Sequence, residues 1–257
     1  MSPIPVKFID VCLSPDLIHL YPLEDRAVVV VDILRATSCM VTALAHGIAS
    51  IKPVSHLDEC RAFKIREHII SGERNGEKVD GFDLGNSPFE YMSEELKGKK
   101  IAFTTTNGTL AIEKARHARE VIIGSFLNLT AVANYLRSQE NHVLILCAGW
   151  KGKVNLEDTL FAGALVRMLA DDYTPECDAP RMALHLYEKA RHDLQSFLKD
   201  SSHVRRLKRL HIEKDIAFCL EFDRYDVVPV LREGVLVNQS PPDSYRVASR
   251  QSSGASQ

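Results

Sequence analysis

AVVVVDIL occupies residues 27–34, a run of apolar, mostly β-branched side chains interrupted only by Asp32. A continuous apolar run of this length, rather than an alternating one, predicts a strand covered on both faces. Working outward, a helix is expected from about Thr37, with Val41, Leu44, Ala45 and Ile48 on one face. Short strands follow at 51–54 and 69–71, around a helix over 57–68. KKIAFTTT (99–106) reads as a strand and leads to a helix from Thr109. VIIGS (121–125) is a strand before a helix over 129–136, and HVLILCAG (142–149) is another buried strand. In LEDTLFAGALVRML (156–169), Leu160, Phe161, Ala164, Leu165, Met168 and Leu169 form one helical stripe. Residues 176–222 read as helical, with the basic stretch HVRRLKRLH at 203–211, and DVVPVLREGVLV (226–237) as a strand pair.

Strands alternating with helices predict an α/β fold, a largely parallel or mixed sheet between two helix layers. The expected organisation is one catalytic domain over 1–237, or two closely joined halves, with 238–257 a flexible polar tail. In such sheets ligands bind beyond the carboxyl ends of the strands, which turns separate loops into one candidate site.

Composition narrows the function classes. The 257 residues are 45% hydrophobic and 26% charged, with a formal net charge of -2, so no basic excess points to nucleic acid. No apolar run reaches the roughly 20 residues a membrane span needs. The start, MSPIPVKFIDVCLSPDL, lacks the basic and apolar regions of a signal peptide, so a cytoplasmic protein is expected. The six cysteines, Cys12, Cys39, Cys60, Cys147, Cys177 and Cys219, form no C-x-x-C pair and read as reduced thiols. A homo-oligomer is compatible with this composition.

Three strand-to-helix loops carry candidate chemistry. In the first, Asp32 ends a strand of valines, where an ionised carboxylate needs a cation or hydrogen bonds. Arg35 brings a planar donor fork suited to phosphate, and Thr37 or Ser38 can cap the next helix. The second, Thr104 to Thr109, places Thr105, Thr106, Asn107, Gly108 and Thr109 where hydroxyls and backbone N–H groups can surround an oxyanion. The third, CAGWKGKVNLED (147–158), offers Cys147, Gly149, Lys151 and Lys153, with Glu157 and Asp158 opening a helix. Neighbouring helical residues point about 100° apart, so one of that pair, not both, would face a shared metal. A fourth segment, 72–98, holds five glycines and reads as a long ordered loop supplying Glu73, Arg74, Asp83, Asn86 and Ser87.

Dinucleotide, P-loop and nucleophile-elbow motifs are absent. Cys147 ends a strand as a phosphatase cysteine would, but Lys153 stands six residues on where such a loop needs arginine. Four segments in order, VVVDILRATSCMVTALAHG, GERNGEKVDGFDLGNSP, TTTNGT and CAGWKGKVNLEDTLFAG, together resemble the 2-phosphosulfolactate phosphatases. DIAFCLEFDRYDVVPV extends the likeness more loosely towards the end.

The resemblance implies a Mg²⁺-dependent phosphatase acting on a small phosphorylated acid, on the route to coenzyme M. Asp32 and Arg35 would be catalytic. Arg74, Asn86, Ser87, the 105–109 turn, Cys147 and Gly149 would bind phosphate. The metal would draw on Asp32, Glu73, Asp83, Glu157 and Asp158. Either a water or the Asp32 carboxylate would attack phosphorus. Two rivals predict different behaviour: a non-catalytic phosphometabolite sensor, and a phosphatase using Cys147 as nucleophile.

Overall fold

The computed structural model describes residues 6–239. Strand β1 (Phe8–Cys12) precedes β2 (Arg26–Val31) and helix α1 (Ala36–Ala45). Next come β3 (Ser50–Pro53), α2 (Leu57–Ala62), β4 (Ile69–Arg74) and the two-residue β5 (Glu77–Lys78). The alternation resumes with β6 (Lys100–Thr104), α3 (Gly108–Ala115), β7 (Glu120–Gly124), α4 (Leu129–Arg137), β8 (His142–Cys147) and α5 (Leu156–Met168). A short β9 (Thr174–Pro175) leads into α6 (Asp178–Ala190), α7 (Leu194–Leu198), α8 (Ser202–Lys208) and α9 (Glu213–Cys219). The last two strands are β10 (Pro229–Arg232) and β11 (Val235–Asn238).

The eleven strands among the described residues form one mixed sheet in the order β5-β4-β6-β3-β11-β10-β7-β2-β8-β1-β9. Two parallel blocks, β4-β6-β3 and β7-β2-β8-β1-β9, are joined by the antiparallel β10–β11 hairpin. This is the expected α/β class. The expected strand pair at the end of the chain is present, but it lies in the middle of the sheet.

Every residue of β2 is buried. Val29 and Val31 face a core shared with Ile145, Leu160, Phe161 and Leu165, on the side of α4, α5 and α6. Val28 and Val30 face the opposite core, with Leu144 and Leu146 of β8. That second core also contains Ile51 of β3 and Ile101 and Phe103 of β6, together with α1 and α3, so both parallel blocks rest on the same two helices. Each buried valine contributes roughly 1.5–3 kcal/mol relative to exposure. Small residues let α1 sit this deep, since Ala36 through Leu44 are all buried.

Several expectations are corrected here. The helix expected over 57–68 is α2 followed by a 3₁₀ turn, Phe63–Arg66. The segment expected to be a loop from residue 72 begins inside β4, adds β5, and contains two further 3₁₀ turns, Pro88–Tyr91 and Glu94–Leu96. Of the expected tail, Asn238 ends β11, and residues 240–257 lie outside the described residues. No helix among the described residues is long and apolar enough to cross a membrane.

Candidate active site

A cavity of about 240 Å³ opens where the segments following β2, β4, β6 and β8 meet. Asp32, Leu34 and Arg35 reach it after β2; Glu73, Asn75 and Gly76 from the end of β4; Thr106 and Asn107 after β6; Trp150 after β8. Asn86 joins them, and His203, Arg206, Leu207, Arg209 and Leu210 of α8 and its C-terminal turn complete the lining.

Asp32 is only 7% exposed. Its backbone N–H donates to Thr37 Oγ1 at 3.1 Å, and the Thr37 N–H returns to the Asp32 carbonyl at 3.0 Å. Thr37 therefore closes the loop rather than capping α1, whose first turn has no side-chain cap. Ser38 likewise donates to the Ile33 carbonyl at 2.8 Å. The Asp32 carboxylate accepts the Ala36 N–H. On its other side lies the start of α3: a Cβ on Gly108 would stand 2.8 Å from Asp32 Oδ2 and 2.7 Å from the Ala36 Cβ. Only glycine permits this approach of helix to carboxylate. Burial pushes the Asp32 carboxyl up to about 7; the charge of His203 pulls it down, while Glu73 and Glu157 push it further up.

Glu73 is buried and accepts two backbone N–H groups, from Thr106 at 2.8 Å and from Gly76 at 2.6 Å. Thr105 and Thr109 exchange hydrogen bonds through their hydroxyls, which fixes the turn before α3. Asn107 Oδ1 accepts the Lys151 N–H at 3.0 Å, tying the β6 loop to the β8 loop. Asn86 Oδ1 and Thr106 Oγ1 are buried and have no hydrogen-bond partner in the protein.

The two acids that open α5 have separate roles, and neither lines the cavity. Asp158 accepts the Ile33 N–H at 2.9 Å and the Gly149 N–H at 3.0 Å, bracing the first and third loops from beneath. Burial holds its carboxyl well above the ordinary range, with Glu157 and Asp32 adding to the effect. Gly149 accepts this position with φ +57, and a side chain there would strike the Lys153 carbonyl. Glu157 is fully buried and receives the His203 Nδ1–H on Oε1, while its Oε2 has no partner.

Arg35 is buried and committed to the protein: it pairs with Asp215 of α9 and donates to the Gly76 carbonyl at 2.9 Å. Arg206 stacks on Trp150, its guanidinium carbon 3.8 Å from the ring centre, with Nη2 buried and unpartnered. Lys151 Nζ also lies over the Trp150 ring, 4.8 Å from the centroid.

Other expected site residues lie elsewhere. Asp83 accepts the Ile70 N–H at 3.0 Å and pairs with Lys64 at 3.1 Å, half out in solvent. Arg74 turns away, donating to Thr104 Oγ1 at 3.0 Å and to the Ser55 carbonyl at 3.4 Å. Ser87 heads a 3₁₀ turn without a side-chain cap. Lys153 is exposed and pairs through its backbone with Trp150. Cys147 is fully buried, and desolvation raises its thiol well above the ordinary value. A buried, protonated thiol is no nucleophile. His203 and Arg206 belong to the basic stretch 203–211, whose sequence fits a solvated face, an interface or a lid over the site. The spacing of His203, Val204 and Leu207, all buried, marks an inward-facing helix side and was the available signal.

Among the described residues no group of three or more His, Cys, Asp or Glu side chains is arranged to hold a metal. Two carboxylates, Asp32 and Glu73, nevertheless share the cavity with the unpartnered oxygens of Asn86 and Thr106. A hard cation that keeps waters and phosphate as its other ligands suits this set.

A probable 2-phosphosulfolactate phosphatase of Thermotoga petrophila is 43% identical over 234 residues, covering 91% of this chain and 100% of its own. Similar proteins bear the same name in Caldanaerobacter subterraneus (42% identity, 83% of this chain, 91% of its own) and Clostridium tetani (36%, 89% and 99%). The model of the 2-phosphosulpholactate phosphatase family matches residues 12–234. The chain belongs to the 2-phosphosulpholactate phosphatase family.

Proposed function

We propose that the chain hydrolyses the phosphate monoester of a small 2-hydroxy acid, 2-phosphosulfolactate, to sulfolactate and phosphate with Mg²⁺ as cofactor, a step that serves coenzyme M synthesis. One observation carries this reading. Asn86 Oδ1, Thr106 Oγ1 and Arg206 Nη2 are buried, lack partners, and belong to residues lining a single cavity. A buried polar atom without a partner costs roughly 1–3 kcal/mol, so a ligand that satisfies several at once binds with that gain.

The residues divide into two ends. Asp32, Glu73 and Asn86 would hold Mg²⁺, which when bound neutralises charge on the phosphoryl oxygens and polarises them. Thr106 offers a hydroxyl, and the start of α3 offers its N-terminal dipole, to the same phosphoryl group. Arg206, seated over the Trp150 ring, supplies the cation for the sulfonate or carboxylate end. Arg35 positions Asp215 and the Gly76 turn and is a wall rather than a free ligand. A water is the attacking group in this reading, with Asp32 orienting rather than bonding phosphorus. The family name of the relatives supports the substrate, and the burial of Cys147 counts against a cysteine nucleophile.

The test is phosphate release from 2-phosphosulfolactate, 2-phospholactate and phenyl phosphate, in Mg²⁺ and after EDTA. Turnover of the 2-phospho acids, lost on chelation and restored by Mg²⁺, is expected. Turnover indifferent to EDTA removes the metal from the mechanism, and tight binding without release makes the protein a sensor.

A further inference from the structure

The proposed hydrolysis leaves an alkoxide, a poor leaving group, and therefore needs a proton donor on the side away from the attacking water. Among the ten histidines, His203 alone lines the cavity. Its Nδ1 donates to Glu157 Oε1, and the Asn155 amide lies 3.2 Å from the same nitrogen. Glu157 is 0% exposed, so the ring is held from a dry position beneath the site. A carboxylate on Nδ1 fixes the tautomer and leaves Nε2 as the working nitrogen. Nε2 has no protein partner among the described residues. The charged groups around the ring are Asp32 and Glu73 in the cavity, Glu157 behind, and Arg35, Arg206 and Arg209.

We propose that His203, oriented by Glu157, is the general acid that protonates the departing ester oxygen, an inference that rests on the phosphatase reading above. In the step, the bond from phosphorus to the ester oxygen breaks with its electron pair moving to that oxygen, which takes the proton from Nε2. The water oxygen forms the new bond to phosphorus, and both of its protons leave on the dihydrogen phosphate product. The neutral imidazole, still donating Nδ1–H to Glu157, regains a proton from solvent. Glu157 is a positioning residue, and His203 is the one that touches the reacting atoms.

The experiment compares 2-phosphosulfolactate with the same acid carrying sulfur in place of the bridging ester oxygen, since a thiolate leaves without a proton. In His203→Asn, kcat on the oxygen ester is expected to fall about 10²–10⁴-fold, the usual contribution of a general acid. The ratio of sulfur-ester to oxygen-ester turnover is expected to rise by at least about tenfold over wild type, and in the same direction by less in Glu157→Gln. Equal losses on both esters, or no loss on either, overturn the inference. If His203→Asn does not fold, as judged by circular dichroism, Glu157→Gln is read alone, and an unchanged ratio there overturns it too. Wild-type protein inert on both esters would instead defeat the phosphatase reading and this inference with it.

Discussion

Removing the charge of Asp32 should stabilise the protein while stopping its reaction. The carboxyl is 7% exposed, and burial raises it from its ordinary value near 3.8 to about 7. The folded chain therefore keeps this proton to higher pH than the unfolded chain does. Stability from this group is lost as pH rises from about 4 towards 7, and the whole penalty is present above that. The displacement converts to a ceiling of ~4 kcal/mol, at ~1.4 kcal/mol for each pH unit. Asp32→Asn keeps the shape and can still accept the Ala36 N–H, yet carries no charge beside Glu73 and Glu157. Urea unfolding in EDTA, followed by the fluorescence of the single tryptophan, Trp150, reads the effect. The variant should be more stable by about 2–4 kcal/mol at about pH 8, and the gain should shrink steadily towards about pH 5. Phosphate release should fall to background. A variant less stable than wild type at pH 8, or a gain that does not change with pH, refutes the reasoning.

Gly108→Ala puts a methyl 2.8 Å from Asp32 Oδ2 and 2.7 Å from the Ala36 Cβ; stability should drop by about 1–3 kcal/mol and turnover by far more, and a variant with full activity contradicts the close approach. Cys147→Ser places a hydroxyl in a fully buried site, so melting should come earlier by calorimetry, while kcat stays within about tenfold of wild type. Loss of turnover in that variant with the fold intact would revive the cysteine mechanism.

Much of this organisation was legible in local chemistry. The valines of β2 read as a doubly buried strand because both faces of the sheet are covered. Asp32, Glu73, Asn86, Thr106 and Asn107 were recognisable because polar residues at strand ends collect in one crevice. The assignment of individual acids was not legible. Whether Glu157 or Asp158 meets a metal depends on what lies against each, and one proves to hold a histidine 46 residues away while the other takes two backbone N–H groups. Asp83 carries the right chemistry in the right segment, yet the chain turns it onto the Ile70 N–H. Helix α8 shows the same limit, since a basic amphipathic stretch reads alike whether its inner face meets core or cavity. β1 is not among the strands read from the sequence, and β9, with two residues, carries too little pattern to be read. The place of the β10–β11 hairpin between two parallel blocks depends on pairings remote in sequence, with Ile51 and Ile122.

A crystal structure of Asp32→Asn soaked with 2-phosphosulfolactate and Mg²⁺ bears most directly on where the chemistry occurs. The phosphoryl group should lie between residue 32, Glu73, Asn86 and Thr106, with the acid end against Arg206 and the ester oxygen nearest His203. Density for the phosphoryl group in the neighbouring cavity of Pro15, Asp16 and Lys151, or with its acid end far from Arg206, would contradict it.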